Sequence, residues 1–194
     1  MDAELRSRHT DLLFRVSLSG REARLYLLYE HQSTPHPLMP FRLVAYAVRI
    51  WEAWLKENPG ATALPAILPV VLHHGDAGWT AARSLEELYD LDEDTLLAAG
   101  AHVLRHRFVL DELVAESDEA LRGRGMTALG RLVLVCFRHS RAPEELVRHL
   151  GAWADLALEV MTAPHGRAAL EAVLRYVMMV HPAESRIVLE QLRA

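Results

Sequence analysis

Two apolar stretches around a glycine turn constrain this chain's fold more than any other feature. From Arg8 to Leu18, Leu12, Phe14, Val16 and Leu18 alternate with Asp11, Leu13, Arg15 and Ser17, the period of a half-buried strand. From Arg24 to Gln32 a nearly unbroken run of aliphatic and aromatic residues reads as a central strand. Between them lies Ser19-Gly20-Arg21-Glu22, where glycine at the first central position predicts a type II′ hairpin with a Gly20-Arg21 loop. That register sets Asp11 directly across from Glu30, with Cβ atoms about 4.5–5.5 Å apart, and turns Gln32 to the same face. Two carboxylates so close destabilise a sheet unless a cation lies between them. A hard divalent ion such as Mg²⁺, held by one or two carboxylates and water, is the natural occupant. Spacing alone leaves the bland alternative open, a rim carrying two solvated acids.

The chain continues as an alternating helix and strand pattern. Leu38, Phe41, Val44, Val48, Trp51 and Leu55 recur at spacings of three and four, predicting an amphipathic helix over 38–57 with that stripe buried. Asn58-Pro59-Gly60 ends it. Trp51 and Trp54 are read as packing residues rather than a stacking platform for bases. Leu64 to Gly75 reads as a buried strand parallel to one of the first pair, since an intervening helix makes a crossover. Pro69 is expected at its start or at an irregularity. Ser84 with Glu87 predicts a short capped helix. His106–Leu110 is a candidate last strand, followed by helices at about 117–139, 143–162, 166–180 and 183–193, broken by Gly123/Gly125, Pro143, Pro164-His165-Gly166 and Pro182. The expected organisation is an α/β core over 1–112 and a helical region over 113–194 packed on it.

Much chemistry is excluded. No stretch is long and apolar enough to span a bilayer, and the N-terminus has no secretory signal pattern, so the expected location is the cytoplasm. Cys136, the lone cysteine, sits in Leu-Val-Leu-Val-Cys-Phe and reads as a buried structural thiol. Despite 11 histidines, no zinc motif, nucleophile elbow or phosphate loop is present. His73-His74 with Asp76 could ligate zinc, but adjacent strand residues face opposite sides, and solvated or structural histidine is the stronger reading. The net charge is −5, yet residues 1–50 carry seven Arg against five acids. Arg8, Arg15 and Arg42 therefore surround the acid pair, where a phosphate-bearing substrate would need them. Lys56 is the only lysine.

Several stretches together resemble the bacterial recombination-promoting nuclease and transposase family labelled YhgA-like, within the PD-(D/E)XK nuclease superfamily. They are Asp11-Leu12-Leu13-Phe14, Tyr26 through Ser33, Pro37 through Arg42, Tyr46 through Gly60, Leu64 through Gly75, Trp79, and Ser84 through Leu91, covering residues 8–91 in order. The resemblance implies a mixed sheet flanked by helices and metal-dependent hydrolysis of DNA phosphodiesters linked to recombination. In that scheme Asp11 and Glu30 are metal-binding acids, the His31 backbone carbonyl adds a ligand, and Mg²⁺ or another divalent cation is the cofactor. Gln32 stands where most of the superfamily carries lysine, able to orient water but not to supply charge. The family usually has a helix and a strand before the first acid, so the resemblance implies an N-terminally truncated sheet. Its exposed edge would pair with a second copy. The alternative is a catalytically inactive member that acts as a DNA- or protein-binding or assembly module.

Overall fold

The structure, a computed structural model, describes residues 11–30, 35–140 and 149–180. Four strands, β1 (Asp11–Leu18), β2 (Arg21–Glu30), β3 (Ala66–His73) and β4 (Val109–Glu112), form one mixed sheet in the order β1-β2-β3-β4. β1 and β2 are antiparallel; β3 is parallel to β2, and β4 to β3. The fold is the mixed α/β class expected from the sequence. The chain divides after Glu112 into two compact units.

The hairpin closes one residue earlier than the sequence reading predicts. Its two-residue loop is Ser19-Gly20, with Leu18 paired to Arg21. Both loop residues have positive φ, 51° and 80°, which defines a type I′ turn rather than type II′. Glycine occupies the second central position, and Ser19 accepts a left-handed backbone at the first. Type I′ twist matches that of the strands. The consequence is a register shift: Asp11 pairs with Leu28, not Glu30.

β2 connects to β3 through α1 (Met39–Glu57), as a parallel pair requires. Its boundaries match the prediction, but its buried face does not. Met39, Leu43 and Ala47 are buried, whereas Leu38, Phe41, Val48 and Leu55 of the predicted stripe are exposed, Phe41 at 57%. The helix carries two apolar stripes, and the sheet took the one built from smaller and more flexible side chains. Met39 and Leu43 pack with Val71, Trp79 and Phe108, and Tyr46, Ile50 and Ile67 line the same cluster. Each of these side chains fully buried contributes roughly 1.5–3 kcal/mol. Trp51 donates its ring N–H to the Pro65 carbonyl (2.8 Å), tying the end of α1 to the approach of β3. Pro69 lies mid-strand, one residue before the β4 ladder begins at Val70. β4 does not flank it there, so a missing N–H is tolerated.

In the β3–β4 connection, Glu86–Leu88 form a 3₁₀ turn where a capped helix was predicted. Ser84 donates its hydroxyl to Glu87 (2.8 Å), and Glu87 also accepts the Arg83 N–H (3.1 Å). The Ser84 bond chiefly holds the Glu87 carboxyl below its ordinary range. A helix not anticipated, α2 (Glu93–Ala99), follows, capped by Asp92, which accepts the Thr95 N–H at 2.7 Å. The last strand starts three residues later than predicted, because Arg107 is spent on an isolated bridge to Ser84.

The second unit is helical. The predicted 117–139 helix is two helices, α3 (Asp118–Arg122) and α4 (Ala128–Arg138), capped by Ser117 and Thr127. α5 (Ala154–Thr162) and α6 (Gly166–Val180) follow; the predicted starts at 143 and 183 lie outside the described residues. Arg138 donates to the carbonyls of Leu113 (2.8 Å) and Val114 (3.0 Å) and pairs with Asp118 (3.0 Å). Cys136 is buried, and burial pushes its thiol up to about 12. No helix among the described residues is long and apolar enough to cross a membrane.

Candidate functional site

The parallel arrangement brings the carboxyl ends of β2, β3 and β4 to one edge of the sheet, where ligands of open α/β sheets bind. Because β1 is antiparallel, its first residue, Asp11, reaches the same edge. The register there forms two cross-strand rows. Asp11 lines up with Leu28, Val71 and Leu110; Glu30 lines up with His73 and Glu112. Leu28 and Glu30 are two apart on β2, so Asp11 and Glu30 keep the same parity. They are diagonal rather than directly opposed, about 7–8 Å apart by backbone geometry. This corrects the predicted face-to-face pair. It preserves the shared face, because the register slipped by a whole pleat period.

The side chains of Asp11 and Glu30 lie outside the described part of the structure, as do Arg8, His31 and Gln32 altogether. Among the described residues no group of three or more His, Cys, Asp or Glu side chains could hold a metal. That removes the zinc reading: His73 and His74 are buried, Asp76 is exposed, and the three form no ligand set. Asp11, Glu30 and a carbonyl would make an all-oxygen donor set. Oxygen donors of this kind are what a hard divalent cation such as Mg²⁺ takes.

The described part of the edge is tightly built. Val71, Leu110 and the core residues of α1 occupy the face that carries both rows. His73 is fully buried there, its ring 5.3 Å from Trp79 in an edge-on arrangement. Trp79 in turn meets Phe108 at 5.6 Å. Glu112, the last residue of β4, accepts the Trp79 backbone N–H on Oε1 at 2.5 Å. Its other oxygen lies 3.7 Å from the Arg83 guanidinium. Gly78 makes this clamp possible: its φ is +70°, and a Cβ there would stand 2.9 Å from Glu112 Oε1. The clamp fixes the segment after β3 to the end of β4.

Of the three arginines expected near phosphate, Arg42 lies in the first turn of α1, just beyond the carboxyl end of β2. Its guanidinium donates to Tyr46 Oη (3.4 Å) and rests 5.9 Å from that ring. Arg15 is exposed and of Asp11 parity but four residues along β1, opposite Arg24, towards the far edge. Sequence reasoning missed Glu112, Gly78 and Arg83. They meet only through tertiary structure, and no local pattern announces the contact.

A protein family described as "Putative transposase, YhgA-like" matches residues 1–164. The chain is 33% identical over 75 residues to "Recombination-promoting nuclease RpnA" of Escherichia coli (strain K12), covering 39% of this chain and 25% of that protein. It is 23% identical over 187 residues to "Recombination-promoting nuclease RpnD" of Escherichia coli O157:H7, covering 95% and 66%. It is also 26% identical over 130 residues to "Inactive recombination-promoting nuclease-like protein RpnE" of Escherichia coli (strain K12), covering 66% and 42%. The chain thus matches between a quarter and two thirds of the length of these relatives. No solved structure matches it.

Proposed function

The chain belongs to the YhgA-like transposase family, and from that premise we propose that it is a Mg²⁺-dependent DNA endonuclease that hydrolyses phosphodiester bonds. The observation that carries the proposal is the register at the carboxyl edge, where Asp11 and Glu30 share one face at the ends of adjacent strands. In this reading Asp11, Glu30 and the His31 backbone carbonyl hold the cation. When bound, it supplies positive charge to the phosphate and lowers the pKa of a nearby water. Gln32, two residues past Glu30, orients that water by hydrogen bonding and adds no charge. Arg42 binds a substrate phosphate, an exchange of partners that releases a long bond to Tyr46 and the contact with its ring. The names of the similar nucleases support DNA as substrate, and the buried His73 beneath the edge supports a rigid floor for the acids.

Two copies pair through β1. Supporting this, β1 is the margin of the described sheet and exposes Leu12, Leu13 and Phe14 on both of its faces. Sedimentation should give a dimer, and Phe14→Lys should shift it to monomer.

The test of activity is nicking of supercoiled plasmid in Mg²⁺. Nicking by the native chain that is lost in Asp11→Ala and in Glu30→Ala supports the assignment; nicking that survives both substitutions defeats it. A second reading, a non-catalytic DNA- or protein-binding module, is favoured by Gln32 in place of lysine and by the similar protein named inactive. It predicts DNA binding or assembly with no nicking at any Mg²⁺ concentration.

A further inference from the structure

We infer that Arg83 is a second phosphate-binding residue of this edge, held in position by Glu112 and taking a backbone phosphate beside the one attacked. The inference rests on the DNA-binding part of the proposed function. Glu112 is in register with His73 and through it with Glu30, so all three stand on one face at one end of the sheet. Two strand spacings separate Glu112 from Glu30, about 10 Å. Phosphates recur along a nucleic-acid strand at a spacing of that order, so a strand crossing the edge with one phosphate at the acids sets a neighbouring one beside Glu112. A carboxylate there would repel it. The structure instead engages both Glu112 oxygens: one takes the Trp79 N–H at 2.5 Å, the other faces Arg83 at 3.7 Å.

The two partners differ in exposure. The Glu112 side chain is 21% exposed, whereas that of Arg83 is 55% exposed, so the cation forms the outer surface of the pair. Their separation is long for an ion pair, and half-exposed pairs are weak. A phosphate offering two oxygens can therefore compete for the guanidinium through a bidentate contact. The Arg83 backbone does not float: its N–H donates to Glu87 (3.1 Å), and the adjacent Ser84 is buried and bonded to the same carboxylate (2.8 Å). A fixed backbone with a loosely held, outward guanidinium suits a phosphate contact. Arg42, at the start of α1, would serve the other side of the same edge.

The experiment is fluorescence anisotropy of a labelled duplex in Ca²⁺, with affinity followed as salt is raised. Each phosphate contact contributes about 0.9 to the slope of log K against log salt. Arg83→Gln should lower the slope by about one and weaken binding several-fold, with Arg83→Lys recovering the slope. Arg49→Gln, an exposed site further along α1, should leave it unchanged. Equal slopes for native and Arg83→Gln proteins, or an equal loss in Arg49→Gln, overturn the inference. Plasmid nicking separates it from its premise. A chain that never nicks yet loses one unit of slope in Arg83→Gln keeps the contact and rejects hydrolysis. A chain that nicks while Arg83→Gln binds normally keeps hydrolysis and rejects the contact. Absence of any DNA binding rejects both.

Discussion

Gly78→Ala is the substitution whose cost follows most directly from the geometry. Two terms add. Gly78 has φ +70°, a left-handed conformation that costs an L residue about 1–2 kcal/mol. The new Cβ would also stand 2.9 Å from Glu112 Oε1, the oxygen that accepts the Trp79 N–H at 2.5 Å. The carboxylate is the far end of a flexible side chain and shifts to make room, which weakens or breaks a charge-assisted hydrogen bond worth up to about 3 kcal/mol. Together these predict destabilisation of about 1–5 kcal/mol, a sizeable part of the stability of an ordinary domain. The assay is urea unfolding followed by the fluorescence of tryptophan, since Trp79 is buried. The two terms separate in a double-mutant cycle. With Glu112→Ala already present, the clash is gone, and Gly78→Ala should then cost only the backbone term, about 1–2 kcal/mol. A native-background cost below about 0.5 kcal/mol, within the scatter of neutral surface changes, would refute the clamp. So would full additivity of the two substitutions.

Other consequences are simpler. Ser19→Asn should stabilise the hairpin by about 0.5–1 kcal/mol, because Asn-Gly is the preferred type I′ loop; a lower urea midpoint would count against the observed turn. Cys136, pushed up to about 12 by burial, should resist iodoacetamide at pH 8 in the folded protein and react on unfolding; rapid native labelling would contradict that burial. His106 is held below its ordinary value, first by burial, with Glu86 acting weakly in the opposite direction. The unfolded chain therefore takes up this proton at higher pH than the folded one. Its contribution is complete above about pH 6.5 and is lost as pH falls through the folded value. His106→Gln should flatten the fall in urea midpoint between pH 7.5 and 5.5; an unchanged fall would exclude this histidine as the source.

The strands, the α1 boundaries and the parallel orientation of β3 were legible because each rests on local periodicity or on the crossover rule. The register of the hairpin was not. Gly20 suits the first central position of a type II′ loop and the second of a type I′ loop equally well, and only the backbone of Ser19 decides. The buried face of α1 was illegible for a related reason: Met39-Leu43-Ala47 and Leu38-Phe41-Val48-Leu55 are both apolar stripes, and periodicity does not rank them. α2 was readable in principle, since Asp92 followed by Glu93, Asp94 and Thr95 is a helix start. For the site, parity survived the error because the slip was two residues, so Asp11 and Glu30 were paired correctly in face and wrongly in register. Glu112, 33 residues from Trp79 in sequence, had no local signal at all.

The proposed activity depends on Asp11 and Glu30 jointly holding one divalent cation. Mn²⁺ binding, read by electron paramagnetic resonance in the absence of DNA, tests it directly. The native chain should bind Mn²⁺ saturably, and both Asp11→Asn and Glu30→Gln should lose that binding, each with a native-like urea midpoint. Undiminished Mn²⁺ binding in either folded variant would contradict it.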